Sequence, residues 1–413
     1  MVSVADAIEA VMSAVVPTPA EEVPVAEAGG RVLAQEVTAP LDIPPFENSQ
    51  MDGFAVRSED LVGASPSTPV GLHVIGTVPA GRAAQVAVGR GEALRIMTGA
   101  PLPQGADAVV KVEDTRVEGS LVEIRHAPAR GEFVRPAGED VRAGETVLRP
   151  GRALRAADVG LIASIGLPTV RVRTRPRVAI LATGDELVPL GGTLGPGQIY
   201  NSNAYALAAA VREVGGTPTI LGIVPDEPDA MRAAFASCAS FDVILSTGGV
   251  SVGDFDFVKQ IMDELGLERR FWQVAQKPGK PLTFAAQDGR LYFGLPGNPV
   301  SSLVCFTLYV APALRRAMGL DAVFAPSVEV EMARSVRTAR SLTELVRCTL
   351  EWRENGMLAT PTGTQSSGVL RSLSLADCLV ISPPGQEELA VGARPQALLL
   401  GQELALSPAH PFA

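Results

Sequence analysis

Val178-Ala179-Ile180-Leu181-Ala182-Thr183-Gly184-Asp185-Glu186 is an apolar run that stops abruptly in a glycine loop carrying two acids. The pattern recurs before Pro299. Val243-Ile244-Leu245 leads into Ser246-Thr247-Gly248-Gly249-Val250-Ser251, and residues 271–274 lead into Lys277-Pro278-Gly279-Lys280-Pro281. Leu291-Tyr292-Phe293 leads into Leu295-Pro296-Gly297-Asn298-Pro299. Amphipathic helical patterns at 203–214, 228–238 and 255–265 separate the earlier runs, so these read as βαβ units of a parallel sheet. Such a sheet puts its strand C-termini, and the loops that follow them, along one edge. Glycines there let backbone N–H groups approach an anion, and helix N-termini add a positive dipole. Four such loops predict a site for a phosphorylated or oxyanionic ligand.

Outward from this block the texture changes. Residues 3–15 predict a first helix, with Ser3 as its N-cap and Val4, Ile8, Val11 and Val15 on one face. From 17 to about 150, glycine and proline are frequent and short alternating runs such as Leu72-His73-Val74-Ile75-Gly76 predict β-structure with many turns. Residues 155–166 read as a helix closed by Gly166 and Pro168, and 171–177 as a basic hinge. Residues 300–318 form the longest helical pattern, ended by Gly319. Beyond 326, short strands return at Val328-Glu329-Val330-Glu331-Met332 and at 345–352. The chain therefore reads as an α/β multidomain protein. A central doubly wound, mostly parallel α/β domain spans 177–322, composite helical and β-rich lobes span 1–176, and a small β-domain spans 323–413.

Composition narrows the function. At 413 residues the chain exceeds one ordinary core, and 46% hydrophobic with 19% charged residues describes a well-packed globular protein. Residues 1–16 carry Asp6 and Glu9 and no basic leader, and the apolar run near 300–317 is cut by Pro312 and Arg315-Arg316. The expectation is a cytoplasmic protein without a membrane span. A net charge of −10 argues against nucleic acid or an anionic membrane as partner. It also means that an anionic ligand must be held by local cations, for which Lys277 and Lys280 are placed. Cys238, Cys305, Cys348 and Cys378 form no Cys-x-x-Cys pair and read as buried free thiols. His73, His126 and His410 lie far apart, which leaves a zinc site or a Ser-His-Asp triad little support.

Each motif also has an ordinary structural role. Asp185-Glu186 could serve as helix capping. Asp226 and Asp256, however, also follow strand-end positions, and three acidic strand ends beside glycine loops favour Mg²⁺ bridging to phosphate. The Lys277–Lys280 turn could be a solvated surface turn; its place between two β-runs favours an oxyanion pocket. Asn298 with Pro299 is a sufficient helix start, and its exposed backbone donors could also face phosphate. No Gly-x4-Gly-Lys-Ser/Thr string occurs, and no Gly-x-Gly-x-x-Gly follows the first strand. In the N-terminal part, Asn48-Ser49-Gln50-Met51-Asp52-Gly53 and Arg95-Ile96-Met97-Thr98-Gly99-Ala100-Pro101 are polar clusters in apolar surroundings, either of which could be a tight turn.

Together with Gly105-Ala106-Asp107-Ala108-Val109-Val110, Gly138-Glu139-Asp140 and Gly363-Thr364-Gln365-Ser366-Ser367, these strings form an ordered set spanning almost the whole chain. The set resembles the molybdopterin molybdenumtransferases, a family that includes the E domain of gephyrin. The resemblance implies insertion of molybdate into adenylylated molybdopterin with Mg²⁺ assisting, AMP release and formation of molybdenum cofactor. It implies a four-part protomer ending in a β-barrel-like domain, and a homodimer whose cleft is lined from both protomers. An upstream molybdopterin adenylyltransferase is an implied partner.

By the same resemblance, Asp52, Thr98, Asp140, Glu186 and Asp256 are the catalytic candidates, and Glu186, Asp226 and Asp256 the metal ligands. Thr183, Gly184, Asp185, Gly248, Gly249, Ser251, Lys277, Lys280, Pro296, Gly297, Asn298, Arg347 and Ser367 are the substrate-binding candidates. Carboxylates would hold Mg²⁺ on the phosphoanhydride, while the lysines, Arg347 and Ser367 would hold molybdate. Glu47, Gln50, Phe54, Asp226-Glu227 and Ser366 depart from the usual pattern and bear on fine specificity. Rival readings are a molybdopterin adenylyltransferase-like activity, a tungstate-inserting paralogue and a non-catalytic scaffold. The retained charges and the flanking domains favour insertion.

Overall fold

The computed structural model describes residues 1–225, 227–248, 264, 266–354 and 356–401. At its centre is a mixed six-stranded sheet in the order Thr217–Val224, Arg177–Thr183, Val243–Thr247, Arg290–Leu295, Pro281–Gln287, Glu268–Gln273. The first four strands are mutually parallel. Residues 178–183 are buried without exception, as the unbroken apolar run requires of a strand covered on both faces. Ser202–Glu213 packs on Thr217–Val224 and on Arg177–Thr183. Leu207 and Val211 of that helix join Ile180, Leu245, Phe284 and Phe293 in the largest apolar cluster. Phe284 stacks on Phe271 and Phe293 at centroid separations of 5.6 and 4.9 Å. Aromatic pairs at such spacing add about 0.5–1.5 kcal/mol each beyond burial.

The sheet is less uniform than its sequence suggests. Pro281–Gln287 runs antiparallel to both neighbours. A tight turn joins it to Arg290–Leu295, too short for the crossover that a parallel neighbour needs. This reversal keeps the 277–281 turn on the same edge as the other loops. The segment 299–317 is one helical path widened to a π-turn at Phe306–Val310. Pro312 follows that turn, and a proline inside a helix lacks a donor and crowds the carbonyl four residues back. The helix expected at 255–265 lies outside the described residues, apart from Glu264.

The N-terminal helix, Val4–Ala14, carries the Ser3–Asp6 capping box. It docks through Ala7 and Val11 onto the central core, not onto the lobes that follow it in sequence. Ala20–Pro24 pairs antiparallel with Thr169–Arg173. The first three residues of the basic stretch expected to be a hinge are therefore strand, and Arg173 donates to the Thr18 carbonyl at 2.9 Å. Around this pair a lobe with Leu33, Leu148, Ile162 and Val172 in its core includes the helix Ala156–Ser164. A six-stranded half-barrel is inserted between its halves, in the order Ala108–Lys111, Gly53–Val56, Glu92–Ile96, Val70–Val78, Leu121–Ile124, Thr115–Glu118.

The C-terminal sheet closes into a five-stranded barrel through the pairing of Thr343–Arg353 with Cys378–Ser382. A two-residue strand of the central domain, Gln276–Lys277, adds to it in parallel with Thr343–Glu344. All four cysteines are free and buried. No described helix is long and apolar enough to cross a membrane.

One ion pair in the N-terminal lobe gives the fold a pH signature. Asp158, 5% exposed, accepts from Arg152 Nη1 and Nη2 at 2.6 and 2.7 Å and from the Arg155 amide at 2.7 Å. The Arg152 bonds, followed by that of the Arg155 amide, outweigh burial and bring its carboxyl down to about 2. A depressed carboxyl stabilises the folded state above its unfolded value near 3.9 and loses that contribution as pH falls toward the folded value. Wild type is expected to exceed Asp158→Asn by roughly 2 kcal/mol near neutral pH. The gap in thermal midpoint should shrink between about pH 5 and pH 3; a gap constant across that window would disprove the assignment.

Candidate active site

The crossover after Arg177–Thr183 leads to one side of it, and the next, after Thr217–Val224, passes back to the other. Thr217–Val224 lies on one side of it and Val243–Thr247 on the other. Between the C-terminal ends of Arg177–Thr183 and Val243–Thr247 the strand order reverses, which is where open α/β sheets form a ligand crevice. Buried Thr183 donates from Oγ1 to the Thr247 carbonyl at 3.3 Å and ties the two ends together. Gly248 has φ +91°, and a Cβ there would lie 2.4 Å from the Thr183 carbonyl oxygen. Only glycine fits. Its amide donates to the Leu295 carbonyl at 3.2 Å, bringing the third loop alongside.

A cleft of about 810 Å³ opens over this edge, bounded by Glu186, Gly248, Lys277, Lys280, Asn298 and Ser367. Pro296 and Gly297 line it too. A groove of about 320 Å³ continues from it past Thr183, Asn203 and Thr247. Asn203 Nδ2 donates to the Gly297 carbonyl at 2.7 Å and fixes the Pro-Gly-Asn loop from the helix opposite. Gly184 is buried beside the turn, with the Glu186 carboxylate folded over its α-carbon. Exposed Asp185 does not line either space. Glu186 makes no ion pair among the described residues. Asp226, Gly249, Ser251 and Asp256 lie outside the described residues.

The two lysines have different surroundings. Lys277 Nζ lies 2.8 Å from Glu344, which is 3% exposed and also accepts from the Ala339 amide at 2.8 Å. Lys280 is exposed to the cleft and has no ion-pair partner among the described residues. Among the described residues it is thus the turn's uncompensated positive charge. Ser367 receives a hydrogen bond from Asn298 Nδ2 at 3.0 Å, and its carbonyl accepts from the Val300 amide at 3.2 Å. The C-terminal loop is thereby stitched to the start of the helical path at Pro299.

Arg347 is placed differently from the expectation of direct substrate contact. It is fully buried, with Nε donating to Ser372 Oγ at 2.9 Å and Nη2 to the Ser366 carbonyl at 3.2 Å. It lies under the Ser367 loop and shapes it from below. Asp52, Thr98 and Asp140 are also absent from the protomer's cleft. Asp52 Oδ1 accepts from the Thr98 hydroxyl and amide, both at 2.7 Å, and these bonds hold its carboxyl below the usual range. Asp140 is exposed, and its amide donates to the Ile43 carbonyl at 2.9 Å. Sequence reading missed Gln276, Glu344 and Asn203. Asn203 was within reach, because the Asn201-Ser202-Asn203 cluster opens a helix after a strand. Glu344 carried no local signal, since its partner is distant in sequence.

Comparison with known proteins places this geometry in a family. Residues 2–166 match "MoeA N-terminal region (domain I and II)", 179–316 match "Probable molybdopterin binding domain" and 329–400 match "MoeA C-terminal region (domain IV)". The chain belongs to the molybdopterin molybdenumtransferase family. The family's protein from Nostoc sp. is 40% identical over 88% of this chain and 85% of its own length. That from Bacillus subtilis is 36% identical over 90% and 88%. The crystal structure of a molybdopterin biosynthesis MoeA protein from Pyrococcus horikosii covers 97% of this chain and 99% of its own, with TM-score 0.86 and 34% identity. The chain is thus an enzyme of the molybdenumtransferase type, with the family's multidomain fold.

The Glu344 junction yields a prediction within this transferase. Glu344→Ala removes acceptors from both Lys277 and the Ala339 amide and should cost about 1–3 kcal/mol. Glu344→Gln, which keeps an acceptor, should cost less. Thermal unfolding of the two variants against wild type checks this; equal midpoints for Glu344→Ala and wild type would show that the junction contributes nothing.

Proposed function

We propose that this enzyme inserts molybdate into adenylylated molybdopterin, with Mg²⁺ assisting, and releases AMP as molybdenum cofactor forms. The supporting observation is that one cleft is bounded by the glycine loops, the Lys277–Lys280 turn and the Glu186 carboxylate. Breaking a phosphoanhydride requires positioning and charge neutralisation more than a protein nucleophile. The residues around the cleft suit those needs. Backbone at Gly248 and Gly297 admits close approach of a phosphate, Lys280 offers to an oxyanion an ammonium unpaired among the described residues, and Asn298 and Ser367 orient polar groups at the rim.

Mg²⁺ uses one or two carboxylates and completes its shell with phosphate oxygens and water. Glu186, a carboxylate at the cleft with no ion pair among the described residues, suits that donor set; Asp226 and Asp256 are the further candidates. When bound, Mg²⁺ would neutralise charge on the phosphoanhydride. Glu186 would hold it at the same end of the cleft as the glycine loops.

The absence of Asp52, Thr98 and Asp140 from the protomer's own cleft supports a homodimer in which a second copy brings them to it. An upstream molybdopterin adenylyltransferase would provide the nucleotide substrate, and the setting is the cytoplasm.

The deciding experiment measures AMP release from adenylylated molybdopterin with Mg²⁺ and with molybdate, tungstate or neither. Molybdate-dependent release is expected. No release from folded protein under any condition would remove the proposal. Lys280→Ala should lower the molybdate-dependent rate by roughly ten- to a hundredfold, the worth of one charge-assisted hydrogen bond. Asp52→Asn and Lys280→Ala should each be defective alone, whereas their co-expression should restore roughly a quarter of the wild-type rate if subunits pair at random across a shared site. No restoration in purified mixed dimers would sink the two-protomer site.

A further inference from the structure

A neutral polar cluster lies beneath the Lys277–Lys280 turn, in the apolar interior between sheet and helix. Gln276 is fully buried. Its Nε2 donates to the Pro278 carbonyl at 3.1 Å and reaches Cys305 Sγ at 3.5 Å, while its Oε1 accepts from the Tyr309 hydroxyl. Cys305 Sγ in turn lies 3.6 Å from the Gly279 carbonyl. The two carbonyls in the middle of the turn therefore meet side-chain donors from below. Both lysines are exposed to the cleft above, while Pro278 and Gly279, which also border it, are buried.

The cluster also fixes the turn sterically. Gly279 has φ +93°, and a Cβ there would stand 2.6 Å from both Cys305 Sγ and Gln276 Nε2. Tyr309 belongs to the π-turn Phe306–Val310, so the widened stretch of helix is the one that carries the Gln276 partner. Burial pushes the Tyr309 and Cys305 titrations upward, so both remain protonated donors. The amide cannot turn over freely, because its oxygen would then face the Pro278 carbonyl, which has nothing to donate.

We propose that Gln276, seated on Tyr309 and Cys305, is a positioning residue for the oxyanion: it fixes the backbone that carries Lys277 and Lys280 without cancelling their charge. The inference rests on the oxyanion reading of that turn given above. A carboxylate at this position would hold the turn equally well but place a negative charge beneath the lysines. An apolar residue would leave the Pro278 carbonyl without this donor inside a dry region, where an unmade bond is costly. The carboxamide does neither.

The test is the molybdate dependence of AMP release for Gln276→Leu, Tyr309→Phe and Cys305→Ser, with thermal midpoints taken alongside. Tyr309→Phe and Gln276→Leu should raise the apparent KM for molybdate roughly five- to tenfold, the scale of one lost buried hydrogen bond. Their kcat at saturating molybdate should stay within about twofold of wild type, because no group at the reacting atoms has been removed. Cys305→Ser keeps a donor and should keep KM near wild type. Folded Tyr309→Phe with an unchanged KM overturns the proposal even if Gln276→Leu fails to fold, and so does a lowered thermal midpoint with an unchanged KM. Lys280→Ala separates the two layers of inference. If it raises KM while Tyr309→Phe does not, only the positioning role falls; if it too has a wild-type KM, the oxyanion reading falls and the positioning role with it.

Discussion

Everything at the candidate active site is placed relative to one reversal of strand order. Arg177–Thr183 is the first strand of the central sheet, and successive crossovers pass to opposite sides of it. The C-terminal ends of Arg177–Thr183 and Val243–Thr247 consequently border a gap that helices on the two faces cannot fill. The gap stays narrow because Gly248 rests against the Thr183 carbonyl with no room for a side chain. A larger residue would separate the loops and, through the Gly248 bond to Leu295, displace the Pro-Gly-Asn loop as well. The crevice follows from topology, and its tightness follows from one glycine.

A second constraint converts this crevice into a charged site. Gln276–Lys277 leaves the central sheet and pairs with Thr343–Glu344 of the barrel, so the lysine turn belongs to both units. Glu344 engages Lys277 at that seam, and Lys280 has no ion-pair partner among the described residues. Arg347, further along the same barrel strand, binds the Ser366 carbonyl, and Asn298 of the central domain meets Ser367. A chain with net charge −10 can thus present a local positive site. One cation sits above a neutral bed, while the acid that could cancel it is engaged with its neighbour. A charge in the cleft itself outweighs a distant surface field, which salt screens within about 10 Å.

The sequence showed the fold's class and the loops that bound the cleft, because both are written in short-range patterns. Continuous apolar runs ending in glycine loops report double-sided burial and an edge, and residues 178–186 carry that signal unaided. It did not show that Pro281–Gln287 reverses direction, because an apolar run reads alike whichever way its neighbour runs. Val4–Ala14 was legible as a helix from its capping box and periodicity, but nothing local says that its apolar face joins the central core. Arg347 marks the same limit within the site. A motif shows that a guanidinium stands at that place in the chain; only the fold shows that it points into the barrel wall and not into the cleft.

Asp52 carries the converse lesson. Its string and the Thr98 string are separated in sequence, yet they meet as a unit: the Ser49 carbonyl accepts from the Gly99 amide at 2.8 Å, and Thr98 clamps one Asp52 oxygen. An exposed carboxylate ordinarily samples several rotamers and contributes little where it stands. Two short bonds on one oxygen remove that freedom and leave the other oxygen facing outward, ionised, in a fixed direction. For stability alone the arrangement achieves little, because the group remains in water. Its use lies in preorganisation, since an acceptor already aimed loses less entropy when something docks on it. The protomer's own cleft does not contain that something. In the proposed homodimer, the ordered carboxylate would be the feature of the N-terminal lobe that gives the second copy a chemical role, presenting a fixed anion to a site whose lysines and glycine loops belong to its partner.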